Sequence, residues 1–213
     1  MKPLKDCRLY TFIDLAYSRG RSLKWLAGEL CRGGADLIQL RAKDWSASQV
    51  EKAAAEILPI LNSARVGLVV NDHPDAARKI GAPVCHLGQE DFFDAGRTRV
   101  DEVRGEASGL LIGLSSHAPD QALRAVDAGA DYVAIGPVFS TPTKPSARAV
   151  TLEYVRWASS NLSLPWFAIG GINLENVDEV LAAGARRICV VSAILNTPDV
   201  AGACRRFKER LNT

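Results

Sequence analysis

Short apolar runs recur along the chain, each leaving into a polar turn. GGADLIQLRAKD, GAPVCHLGQED, GADYVAIGPVF and GARRICVVSAI all pass from a helix-ending Gly-Ala into such a run, at intervals of roughly 50 residues. RLYTFID, VGLVVND, LLIGLSS and PWFAIGG fall between them, so eight strands are predicted. Each run is rich in Val, Ile and Leu with little alternation, as expected of strands buried on both faces of a parallel sheet. The stretches between, such as SLKWLAGELCRGG, SASQVEKAAAEILPILNSA, DQALRAVDAGA and NLENVDEVLAAGA, place apolar residues three and four apart and predict helices. Ser46, Asp120 and Asn173 are expected to open helices, and the glycines at helix ends to supply left-handed caps. The least regular segment, FFDAGRTRVDEVRGEASG, reads as an elaborated helix or a mobile cover.

Eight β/α units with right-handed crossovers close most economically into a (β/α)₈ TIM barrel, here a single domain over residues 1–213. A doubly wound open sheet, the other α/β arrangement, normally uses fewer strands. Composition fits an ordinary globular protein, with 47% apolar residues and charges of both signs interspersed. A formal net charge of +2 and the lack of a basic run with aromatics argue against nucleic acid. No apolar run is long enough to span a membrane and the N-terminus has no signal-type core, so a cytoplasmic protein is expected. The five cysteines form no CxxC pair, and Cys85 and Cys189 lie inside apolar runs as small core side chains. Exposed helices on a small barrel leave a homo-oligomer open.

In such a barrel the chemistry belongs at the C-terminal ends of the strands. Gln39, Arg41 and Lys43 alternate along QLRAK and therefore share one face, where two cations suit phosphate oxygens and the amide suits an oriented hydrogen bond. Asp72 and Asp91 end adjacent strands and can converge as hard oxygen ligands, which Mg²⁺ takes beside a diphosphate. Taken singly, each has a plainer reading, Asp72 as a helix N-cap and Asp91 as a turn residue. Gly170 and Gly171 in AIGGI, with Ser192 in VVSAI, mark the usual phosphate position after the last two strands, although a tight turn alone would also explain the glycines. His86 reads as a hydrogen-bonded core residue and His73 as exposed beside Pro74. His117 alone suits proton transfer, with a structural role equally open.

The series QLRAK, VVND, CHLGQED, IGLSSH, GADYVAIGPVFSTPTK, AIGGI and VVSAI, in this order, resembles the thiamine phosphate synthase family over nearly the whole chain. The resemblance implies a transferase that joins hydroxymethylpyrimidine diphosphate to hydroxyethylthiazole phosphate, with Mg²⁺ as cofactor. It places Gln39, Arg41, Lys43, Asn71, Ser115 and Lys144 on the pyrimidine diphosphate, with Arg41, Lys43, Ser115 and Lys144 supporting catalysis, and Asp72 and Asp91 on the metal. Thr141, Pro142, Thr143, Gly171, Val191 and Ser192 would hold the thiazole phosphate. The family's first motif usually reads QLREK; here Ala42 replaces the acidic residue, and strand alternation turns position 42 away from the mouth. Phe92 and Phe93 replace the leucine and proline that commonly follow QED. The nearest alternatives are a thiazole tautomerase, a branch that typically lacks the acidic pair, and a non-catalytic paralogue that binds only thiazole phosphate.

Overall fold

A computed structural model describes residues 1–105, 109–141 and 149–212. Strands β1 (Leu9–Asp14), β2 (Leu37–Arg41), β3 (Gly67–Asn71), β4 (Val84–Leu87), β5 (Leu111–Ser116), β6 (Tyr132–Ile135), β7 (Trp166–Ile169) and β8 (Ile188–Val190) pair in parallel, each with the next, and β8 closes on β1. Helices α1 (Leu23–Arg32), α2 (Ala47–Ser63), α3 (Pro74–Ile80), α4 (Gln89–Phe92), α5 (Asp101–Arg104), α6 (Pro119–Asp127), α7 (Thr151–Asn161), α8 (Val177–Ala182), α9 (Ser192–Leu195) and α10 (Val200–Asn212) fill the crossovers and the outer layer. The architecture is the predicted (β/α)₈ barrel. No helix among the described residues is long and apolar enough to cross a membrane.

Two apolar layers follow from strand alternation. One set of side chains packs between barrel and helices; the other, with Tyr10, Phe12, Leu37, Val69, Val84, Tyr132, Phe167 and Cys189, fills the barrel itself. Tyr10 and Tyr132 each meet Phe167 edge-on with ring centroids 5.4 Å apart. The Tyr132 ring occupies space that β5 leaves open: a Cβ on Gly113 would lie 2.0 Å from its Cζ. Cys85 and Cys189 are buried in these layers, and burial pushes both thiols above their ordinary pKa.

The helix ends correct several expectations. Ser46 opens α2 through a capping box with Gln49. Asp120 does not open α6; Ala118 takes the N-cap, because Pro119 pre-sets the first helical φ. Asn173 caps the turn before α8, accepting from the amides of Glu175 and Asn176, while Asn176 is the N-cap itself. Gly34, Gly81, Gly129 and Gly184 adopt positive φ after their helices, but after α2 Arg65 does so, at φ 59°. Through Gly105, the irregular segment after β4 takes the form of two short helices, α4 and α5, packed on the barrel. Phe92, Phe93, Val100 and Val103 are buried, and the Arg124 guanidinium sits 3.9 Å from the Phe93 ring centroid.

Candidate active site

A cavity of about 390 Å³ opens at the C-terminal end of the barrel. Gln39, Arg41, Lys43, Asn71, Asp72, Asp91, Ser115, Thr141, Gly171, Val191 and Ser192 all line it, so residues from seven strand ends meet in one space. Pro142, Thr143 and Lys144 lie outside the described residues. Ser116 turns the other way, into the barrel–helix layer, where it shares a hydrogen bond with the Tyr154 hydroxyl. Ala42 is likewise buried on the helix side, as strand alternation requires.

Along β2 the alternation does what the sequence predicts: Gln39, Arg41 and Lys43 face the cavity together. Arg41 Nη1 lies 2.6 Å from Asp14 Oδ2, and this carboxylate, 2% exposed, also accepts from the Ala16 amide at 3.0 Å. Asp14 is directly opposite Arg41 in the β1–β2 register, which makes the pair a product of strand pairing. The pair holds the guanidinium at the mouth while leaving it other N–H groups for an anion.

The acidic pair converges as expected. Pairing of Asn71 with His86 brings the ends of β3 and β4 side by side, and Asp91 follows at the start of α4. Asp72 takes a left-handed backbone, φ 62°, and its side chain accepts from Asn71 Nδ2; α3 begins with His73 as N-cap, so Asp72 does not cap that helix. Burial, then the charge of Asp91, pushes the Asp72 carboxyl up to about 6. Gly88 leaves room for the second carboxylate, since a Cβ there would lie 2.8 Å from Asp91 Oδ2. Two carboxylates brought together in this way suit a divalent cation, which would relieve their repulsion. Among the described residues no cluster of three or more His, Cys, Asp or Glu forms a metal cage. Two carboxylates with positions left for water and phosphate oxygens are a donor set that fits Mg²⁺.

Inside the barrel a hydrogen-bonded chain crosses from β2 to β5. Gln39 Nε2 donates to Tyr10 Oη at 2.6 Å, the Tyr10 and Tyr132 hydroxyls are 3.2 Å apart, Tyr132 Oη is 3.0 Å from His86 Nδ1, and His86 Nε2 is 2.9 Å from Ser115 Oγ. Burial pushes His86 down to about 4, so the ring is neutral near pH 7. This bears out the reading of His86 as a hydrogen-bonded core residue. Gln89 Nε2 donates to the Ser115 carbonyl at 2.5 Å and ties β5 to α4. His117 faces the cavity, its Nδ1 in hydrogen-bond contact with the Gly136 carbonyl, whereas His73 is half-buried and outside the lining.

The glycines after β7 have positive φ, 103° at Gly170 and 66° at Gly171, and each is crowded by the chain itself. A Cβ on Gly170 would lie 2.3 Å from Pro137 Cβ, and one on Gly171 2.7 Å from the Ser140 carbonyl. The loop after β6 thus lies directly on the end of β7, with Val138 and Phe139 donating to the Ile169 and Gly170 carbonyls. Its far end returns to the same place: Val150 donates to the Pro137 carbonyl and Thr151 to that of Val138.

Against known proteins, a family model described as thiamine monophosphate synthase matches residues 9–194. The chain belongs to the thiamine monophosphate synthase family. Membership makes it a transferase of thiamine biosynthesis. A thiamine-phosphate synthase of Thermus thermophilus is 48% identical over 180 residues, 84% of each chain. Another, of Acidothermus cellulolyticus, is 40% identical over 210 residues, covering 98% of this chain and 96% of that one. The structure of a thiamine phosphate pyrophosphorylase from Pyrococcus furiosus superposes with a TM-score of 0.86 at 28% identity, covering 99% of this chain and 98% of that one. A geranylgeranylglyceryl phosphate synthase from Thermoplasma acidophilum shares the barrel at 15% identity and a TM-score of 0.67, over 98% and 94% of the two chains, a likeness of fold alone.

Sequence reading missed Asp14, Tyr10 and Tyr132. The signal was present for the first two: alternation along LYTFID puts Tyr10, Phe12 and Asp14 on one face, and a carboxylate on that face of a barrel strand calls for a partner.

Proposed function

We propose that the chain joins 4-amino-5-hydroxymethyl-2-methylpyrimidine diphosphate to hydroxyethylthiazole phosphate, giving thiamine phosphate and pyrophosphate. The observation that carries this reading is the meeting, in one cavity, of the in-phase Gln39, Arg41 and Lys43 with the Asp72 and Asp91 carboxylates. Arg41, oriented by Asp14, and Lys43 hold diphosphate oxygens and stabilise the charge that gathers on them as the C–O bond breaks. Gln39, Asn71 and Ser115 orient the pyrimidine diphosphate, and Lys144, which lies outside the described residues, adds a further cation for the departing group. Asp72 and Asp91 would hold Mg²⁺, which supplies charge neutralisation at the diphosphate when bound. The electron-rich aminopyrimidine carries the cationic methylene, and the thiazole nitrogen attacks it. Thr141, Pro142, Thr143, Gly171, Val191 and Ser192 hold the thiazole phosphate so that this nitrogen faces the methylene. Positioning and charge stabilisation suffice without a general base.

The test is incubation of the purified protein with both precursors and Mg²⁺, following thiamine phosphate and pyrophosphate. Equimolar appearance of the two products is expected. Absence of product together with tight thiazole phosphate binding would leave a non-catalytic binder. Aromatisation of a thiazole carboxylate tautomer as the sole activity would make it a tautomerase.

A further inference from the structure

The buried chain from Gln39 to Ser115 has a direction that proton counting determines. Each hydroxyl carries one proton, and a neutral imidazole carries one on only one of its nitrogens. Gln39 Nε2 donates to Tyr10 Oη, and among the described residues the other partner of that oxygen is Tyr132 Oη. Were Tyr132 to donate back, the Tyr10 proton would be buried with no acceptor, an arrangement folded proteins avoid because the desolvation penalty goes uncompensated. Tyr10 therefore donates to Tyr132, and Tyr132 donates to His86 Nδ1. The imidazole proton is then on Nε2, which donates to Ser115 Oγ. At the two ends, among the described residues, the Ser115 proton and the Gln39 amide oxygen have no protein partner and are left for the cavity.

We propose that Tyr10, Tyr132 and His86 are positioning residues that lock Gln39 as an acceptor and Ser115 as a donor in the cavity. This inference rests on the proposed reaction for its substrate: an aminopyrimidine offers an amino donor to Gln39, and its diphosphate offers acceptor oxygens to Ser115. One polarised chain through the barrel interior thus reads both ends of the same molecule. The two phenol rings are buried and wedged against Phe167, and the His86 ring stacks on Tyr132, so the chain cannot reorient by moving its hydroxyls apart.

The decisive experiment reads the His86 tautomer by ¹⁵N NMR of histidine-labelled protein, with the signal assigned among the three histidines by single replacements. Wild-type protein is expected to carry the proton on Nε2. Gln39→Glu, measured at about pH 8, well above the ordinary glutamate pKa, can only accept and should reverse the chain, moving the proton to Nδ1. Tyr132→Phe cuts the chain, so the tautomer should become independent of residue 39. In turnover, Tyr132→Phe should lower kcat about tenfold, roughly the loss of one well-placed hydrogen bond, with KM for thiazole phosphate unchanged. A wild-type proton on Nδ1, or the same tautomer in wild type and Gln39→Glu, overturns the proposal. Should Gln39→Glu not fold, the wild-type spectrum still decides it. The spectra require no turnover, so a chain of the wrong polarity in an active synthase, and a correct chain in a protein without synthase activity, are separable outcomes.

Discussion

Gly113→Ala is the sharpest test of how the barrel interior is packed. The added Cβ would meet Tyr132 at 2.0 Å from Cζ, 2.1 Å from Cε1 and 2.5 Å from the hydroxyl. Reaching ordinary contact near 3.4 Å requires the ring to retreat by about 1.4 Å. β5 cannot yield instead, because it is paired with β4 at Gly113 and with β6 along its length. The ring has nowhere to go without breaking its contact with His86 at 3.0 Å or Tyr10 at 3.2 Å and pressing on Phe167. Overpacking of about 1–3 kcal/mol and about 1 kcal/mol for each lost hydrogen bond give a destabilisation of about 3–5 kcal/mol. Urea unfolding of Gly113→Ala, Tyr132→Leu and the double variant forms the test. Both single variants should be destabilised, and the double variant should recover at least about 1 kcal/mol relative to their sum, since the smaller side chain vacates the space the methyl needs. Strict additivity would refute the contact, and wild-type stability in Gly113→Ala would refute the packing.

Four further outcomes are expected. Asp72→Asn should abolish most Mg²⁺-dependent turnover while sparing thiazole phosphate binding by calorimetry; equal loss of both would mean the metal is elsewhere. Because the folded Asp72 pKa, about 6, exceeds its unfolded value, its contribution favours folding at low pH and is lost as pH rises from about 4 to about 6. Metal-free Asp72→Asn should therefore flatten the melting-temperature profile in that window, and an unchanged profile would contradict the raised pKa. Gly171→Ala, strained at φ 66° and facing the Ser140 carbonyl, should displace the loop after β6 and weaken thiazole phosphate at least about tenfold; unaltered affinity would separate that loop from the phosphate site. Ser46→Ala should cost about 1 kcal/mol in chemical denaturation with kcat unchanged, as a helix cap outside the cavity lining requires.

The barrel was legible because parallel strands buried on both faces leave long apolar runs, and the runs ending at Asp14, Arg41, Asn71 and Ser116 all correspond to strands. The cavity face of β2 was legible for a related reason: alternation alone sends Gln39, Arg41 and Lys43 the same way. Helix entry at Ala118 was not, since proline at the first helical position overrode the capping preference of Asp120. Phe92 and Phe93 sat in a stretch without periodicity, so their burial depends on tertiary contacts no local pattern carries. The chain linking Gln39 to Ser115 joins residues far apart in sequence, and only the closed sheet brings Tyr10, Tyr132 and His86 together. Which protons face the cavity follows from that closure.

The loop after β6 leaves and returns through one doorway, with Pro137 and Val138 receiving Val150 and Thr151. A root tied off in this way fixes both ends of the connection, so another sequence spliced between them would start and finish at the same two points of the barrel. The same doorway is the natural seam for grafting in the laboratory.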